Sequence, residues 1–236
     1  VQGSSLTRIA ACSADATGKP EVFVVVNNKR LFSREIQPNG LWGPWSEFGI
    51  PAFTSAAVDI DASEDAQGRC LLFLASGTAG AFVRAQTSDT TGGNWFRVAA
   101  GSARAIAALN FSGVVGAAMR DAYVEVWRTS FGQEGWTSPV KLTRPAGVSS
   151  WRDIDLTWDE AARGFMLALP VNGGNQLWFT PLYGNQPWSE WRFFDTRLWA
   201  PGAATQNAPT LQSITASRWM EDPPGTTSPV IFGTDE

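Results

Sequence analysis

Short apolar runs of five to nine residues recur along the chain, each bounded by Gly, Pro, Asn or Asp. The first four are "LTRIAACSA" (6–14), "EVFVVVN" (21–27), "RLFSREI" (30–36) and "WSEFG" (45–49). Their β-branched and aromatic side chains suit a pleated surface and lose rotamer freedom in a helix, so each run predicts a strand. "VFVVV" shows no polar alternation, which predicts a strand buried on both faces. The paired Asn before Lys29 and the "ATGKP" link suit tight turns, since Asn and Gly tolerate positive φ. No segment sustains a 3.6-residue apolar period. "DEAARG" (159–164) has helical composition but aligns with "DATG" and "DAQG" elsewhere in the chain, so a hairpin loop is expected there.

The pattern repeats. A shift of 50 places Gly18 on Gly68, Phe23 on Phe73, Phe32 on Phe82, Arg34 on Arg84 and Trp45 on Trp95, without a gap. A further shift of 44 places Arg34 on Arg128 and Trp42 on Trp136; another 52 places Trp42 on Trp188 and Trp45 on Trp191. A fifth copy starts at "TLQSITASRW" (210–219) and reaches "SPVIFGTDE" (228–236). Units of this length, each reading as four short strands, predict an all-β fold. We expect a β-propeller of four-stranded antiparallel blades, about five units in this chain, the last incomplete. The unit bounds are approximately 4–51, 52–101, 102–147, 148–200 and 201–236, within one domain. Four full units and two further strands give eighteen strands. A half-finished blade leaves a sheet edge, so part of a longer chain or a homo-oligomer is the expected setting, with a further strand pair in the 195–210 connection as the alternative.

Composition narrows the chemistry. The chain has no His, which removes the commonest general base and metal ligand and leaves carboxylate or lysine chemistry. A net charge of −4 without a basic stripe argues against nucleic acid as a partner. No apolar run is long enough to span a membrane. Cys12 and Cys70 form no metal-binding or C-x-x-C spacing, and two buried free thiols are the first expectation, with one disulfide the alternative. No signal peptide is visible, and a start at Val1 rather than Met suggests a processed or trimmed chain.

Aromatic richness moves the picture further: the chain holds 12 Trp and 14 Phe against 2 Tyr. The column Trp42, Trp136 and Trp188 opens the last strand of three units, with Gly92 in its place in the second. A flat indole there suits the C–H face of a sugar ring, and blade packing is the competing use. The deeper column Trp45, Trp95 and Trp191, with Pro139 in the third unit, is expected to pack the core. Arg34, Arg84 and Arg128 could fork onto sugar hydroxyls or anchor backbone carbonyls between blades. Asp59 with Asp61, and Asp153 with Asp155, point the same way along their strands. Paired carboxylates could perform glycoside hydrolysis or bind a cation, while solvated lining or turn capping is the plainer use. "TSDTTGGNW" (87–95) is read as a β-turn.

"GKPEVFVVVNNKRLFSREIQPNGLWGPWSEFG" (18–49) resembles a repeat of the PLL-type bacterial β-propeller lectins, and "LWFTPLYGNQPWSEW" (177–191) does so less closely. The resemblance implies carbohydrate recognition, commonly of fucose or related sugars, in shallow pockets between blades. On the matching positions it places Trp42, Trp136 and Trp188 near the sugar. Gly92 and Pro139 depart from the pattern. The expected function is therefore a carbohydrate-binding lectin, not an enzyme, with no cofactor, no metal, and glycans or glycoconjugates as partners. A secreted or extracellular setting goes with it. The alternatives are a protein-interaction module of a larger secreted protein and a glycoside hydrolase using the Asp pairs.

Overall fold

A computed structural model describes residues 5–14, 19–52, 54–65, 68–85, 94–110, 114–119, 123–128, 136, 138–158, 164–170, 176–182, 191–195, 213–220 and 227–234. Among these the chain forms eighteen strands and no helix. The first sheet holds β1 (Leu6–Ala14), β2 (Lys19–Val26), β3 (Arg30–Glu35) and β4 (Ser46–Glu47). The second holds β5 (Asp59–Glu64), β6 (Cys70–Ser76), β7 (Gly80–Ala85) and β8 (Phe96–Ala100). The third holds β9 (Ala105–Asn110), β10 (Val114–Met119), β11 (Tyr123–Arg128) and β12 (Val140–Thr143). The fourth holds β13 (Trp151–Trp158), β14 (Gly164–Pro170), β15 (Gln176–Leu182) and β16 (Arg192–Asp195), and β17 (Ser213–Met220) pairs with β18 (Thr227–Thr234). Each sheet is a meander of sequential neighbours. The hairpin loop expected at 159–164 lies outside the described residues except for Gly164 at the start of β14, as does most of the turn expected at 87–95.

The repeat seen in sequence is a repeat in register. Val22 pairs with Arg34 across β2–β3, and fifty residues on Leu72 pairs with Arg84 across β6–β7. The β2–β3 turn runs through Asn27 (φ 52°) and Asn28 (φ 55°), with the Lys29 N–H donating to the Val26 carbonyl at 3.0 Å. Two successive residues at positive φ match the twist of the flanking strands, which is why Asn occupies both.

The chain divides into two compact units, Val1–Arg120 with Glu125–Val140, and Asp121–Val124 with Lys141–Glu236. In the first, β5 lies between β1 and β9; in the second, β13 lies beside β17. Within each unit the first strands of successive sheets are thus neighbours, and four-stranded meanders joined in this way are β-propeller blades. The second sheet is buried on both faces. Cys70, Leu72 and Leu74 of β6 enter a core with Phe23, Leu31 and Phe82, while Leu71, Phe73 and Ala75 enter another with Ile106, Trp127 and Trp136. The period-two geometry of a strand decides which core each residue joins.

Cys12 and Cys70 form a disulfide across a Cα–Cα separation of 6.0 Å, tying β1 to β6. This corrects the expectation of two buried thiols. The residues are 58 apart in sequence, and only the packing of the first sheet on the second brings them together.

Candidate functional site

The arginine column divides by neighbourhood. Arg84 is buried on β7, its Nη1 donates to the Phe48 carbonyl at 2.6 Å, and its guanidinium stands 4.1 Å from the centre of the Phe48 ring. Burial lowers its pKa. This is the anchoring role: a buried guanidinium needs acceptors, and the end of the preceding sheet supplies one. Arg34, at the equivalent place on β3, instead lies 5.2 Å from the ring centres of both Trp42 and Trp45. Arg128 is described only as a backbone position on β11.

The outer tryptophan column divides as well. Trp42 is 42% exposed and reaches its position through a turn in which the Gln37 N–H donates to the Leu41 carbonyl, with Gly40 at φ 78°. Trp136 packs edge-on against Phe73, with ring centres 5.7 Å apart, at the margin of the core between the second and third sheets. Trp188 lies outside the described residues. The structure therefore joins Arg34 to Trp42 and sets Trp136 in a different environment.

In the deeper column the indole N–H acts as a clasp. Trp95 Nε1 donates to the Gly49 carbonyl at 3.3 Å, and Trp191 Nε1 to the Thr143 carbonyl at 2.9 Å. Each acceptor sits at or just beyond the closing strand of the preceding sheet, β4 or β12. Trp45, their counterpart on the first sheet, is 37% exposed.

Beside Trp95 an open cavity of about 440 Å³ is lined by Pro51, Ala52, Phe82, Asn94, Trp95 and Arg97. It lies between Pro51–Ala52 and strands β7 and β8. Phe82 and Arg97 are register partners and so share a face of the sheet. Buried Phe82 and the clasped indole give the cavity a fixed apolar wall; exposed Asn94 and Arg97 bring donors and an amide carbonyl to its rim. The volume lies in the ordinary range for small-ligand sites. Sequence reading placed Trp95 in the core and passed over Asn94 and Arg97. Their signal was the Phe82–Arg97 pairing, which needs the β7–β8 register.

The aspartate pairs serve the backbone. Asp59 Oδ2 accepts from the Ile106 N–H at 3.0 Å, Asp61 Oδ2 from the Ala108 N–H at 2.7 Å, and Asp153 Oδ2 from the Ile214 N–H at 3.0 Å. Asp59 also pairs with Arg8 at 3.1 Å. The first strand of a blade pairs with its own second strand along one edge, and a carboxylate from the preceding blade caps N–H groups on the other.

Glu21 of β2 is a different case. It is 2% exposed, and burial raises its pKa to about 7, against a Ser33 hydrogen bond that lowers it and with nearby Glu35 raising it further.

No family model and no curated protein matches the chain. Solved structures do. A triple arginine-to-alanine mutant of AofleA from Arthrobotrys oligospora superposes with a TM-score of 0.67 at 12% identity, over 97% of this chain and 65% of that one. The catalytic domain of a Coprinopsis cinerea GH62 α-L-arabinofuranosidase gives 0.55 at 14% identity, over 98% and 85%. The Podospora anserina α-L-arabinofuranosidase PaAbf62A in complex with cellotriose gives 0.51 at 12%, over 89% and 82%. At such identities the likeness is one of fold. The chain spans just under two thirds of the AofleA chain. The expectation that the chain is not an enzyme is corrected here: glycoside hydrolases share this fold, so the architecture gives no ground for setting catalysis aside.

Proposed function

We propose that this chain binds carbohydrate, and that the cavity beside Trp95 is where it does so. The observation that carries the reading is an indole fixed by its own N–H bond to Gly49 on the wall of an open cavity with Asn94 and Arg97 at the rim. A rigid aromatic face costs little entropy to present to the C–H side of a pyranose, and the rim groups take the hydroxyls. This reading agrees with the resemblance to PLL-type lectins in placing the sugar between blades. It moves the supporting indole from Trp42, Trp136 and Trp188 to the next column. The fold likeness to arabinofuranosidases supports a carbohydrate ligand at the level of fold. The disulfide supports an oxidising compartment, and hence a secreted setting.

The test is binding of an oligosaccharide panel to the full chain, followed by titration calorimetry of any hit. Asn94→Ala and Arg97→Ala, both at exposed positions, are expected to weaken binding about tenfold each with unchanged thermal melting. A panel without a hit, or hits indifferent to both substitutions, overturns the assignment. Parallel assays with aryl glycosides read hydrolysis directly.

A further inference from the structure

We propose that the cavity beside Trp95 takes an acidic saccharide, one bearing a carboxylate or a sulfate, and that Arg97 selects it. This rests on the carbohydrate reading of that cavity and names the class of sugar. Among the described lining residues Arg97 is the one charged group, and it stands at an exposed position. Among the described residues no carboxylate pairs with it.

The backbone directs that cation into the cavity. Ala81 pairs with Ala99, but the next residue, Phe82, pairs with Arg97, so β8 bulges at Val98. In an unbroken ladder Phe82 would face Val98, and Arg97 would lie opposite Val83 on the other side of the sheet. With the bulge, Val98 packs against the core that holds Val83, and Arg97 joins Phe82 on the cavity face. Gly80 leaves the space this needs. A Cβ there would meet the Ala99 carbonyl and stand 3.3 Å from Arg97 Nε.

The repeat shows what this spot does when its charges are matched. Fifty residues earlier, Gly80 and Arg97 correspond to Arg30 and Glu47. There Arg30 Nε donates to Glu47 Oε1 at 3.1 Å and its Nη2 to Oε2 at 2.8 Å, a fork on one carboxylate. The second sheet has neither member of that pair and holds a guanidinium where the carboxylate would stand. Such a cation, beside a fixed indole, is complementary to a ligand that brings its own carboxylate or sulfate. The indole takes the C–H face of the ring, Asn94 the hydroxyls, and Arg97 the anionic group in the same two-pronged geometry. A neutral sugar offers that guanidinium hydroxyl acceptors alone, a weaker match.

Titration calorimetry of the full chain tests this. The probes are galacturonate, glucuronate and mannuronate trimers beside their carboxyl-reduced forms, and a sulfated galactose trimer beside its desulfated form. At least one acidic probe is expected to bind about tenfold or more tighter than its neutral counterpart, the gap closing as salt rises. Arg97→Gln keeps donors without the charge, and is expected to erase the gap while melting temperature and neutral-probe binding hold. Arg97→Lys keeps the charge but not the fork, and is expected to retain part of the gap. Neutral probes binding as tightly as acidic ones overturn the inference and leave the carbohydrate reading standing. So does a preference that survives in Arg97→Gln. Inorganic sulfate binding as tightly as the sulfated trimer would make Arg97 a plain anion site, which also overturns it. Silence across all these probes overturns this inference, and the reading beneath it falls only if the wider oligosaccharide panel is silent too.

Discussion

Asp61 on β5 holds the backbone N–H of Ala108 on β9 at 2.7 Å, joining the first strands of two consecutive blades. Its Oδ1 accepts from the Ala62 N–H at 2.8 Å, so both oxygens of the side chain are engaged by backbone. A residue whose type invites a catalytic reading acts here as the seam of the fold. Asp153 makes the same join between β13 and β17.

Removing the seam should cost stability. Asp61→Ala leaves the Ala108 N–H facing a space with no acceptor, and unfolding in urea is expected to show a loss of about 1–3 kcal/mol. Asp61→Asn retains a carbonyl acceptor and should lose less. Equal stability of wild type and Asp61→Ala would contradict the role assigned to this carboxylate.

Glu21 should impose a pH dependence. Its folded pKa of about 7 lies above the ordinary carboxyl value of 4.5, so between those two the folded state holds the proton more tightly. Stability contributed by the neutral carboxyl is full below about 4.5, falls as pH rises toward 7, and is flat above. The loss is on the order of 3 kcal/mol. Glu21→Gln cannot ionise, so its advantage over wild type should grow across that window and level off near pH 8. Denaturant midpoints measured every half pH unit read this directly.

Gly116 of β10 leaves room for an indole. A Cβ at this position would stand 2.7 Å from Trp127 Nε1, 2.9 Å from its Cε2 and 3.0 Å from Phe73 Cε1. Trp127 and Phe73 are both buried, so neither ring has free space to yield. Gly116→Ala is expected to lower stability by about 1–3 kcal/mol through overpacking, and Gly116→Val by more. Trp127→Phe combined with Gly116→Ala should recover part of that loss, which a thermal-melting cycle measures.

The Cys12–Cys70 bridge closes a loop of 58 residues between two sheets. In the chain-entropy account such a cross-link contributes about 2–4 kcal/mol. Cys12→Ser/Cys70→Ser should lower the denaturant midpoint accordingly, and reductant should do the same to the wild type but leave the double variant unmoved.

The sequence alone determined the module. A period near fifty, strands rich in β-branched residues and the paired Asn turn are local properties, read off without knowing which elements meet. They gave all-β four-stranded blades and the strand count, because strand propensity and turn chemistry act within a few residues. What the sequence did not determine was the partner of each side chain. Arg34 and Arg84 occupy one column, as do Trp42 and Trp136, yet one member of each pair is enclosed by a neighbouring sheet and the other is not. Asp61 resembled half of a catalytic pair until β9 stood beside it, and Cys12 resembled a free thiol until β6 did. Asn94 and Arg97 gained interest only once Pro51 and Ala52 stood across an open cavity from them. Burial, hydrogen-bond acceptors and cavities arise from what packs on a residue across long stretches of chain, so only the tertiary structure could decide them.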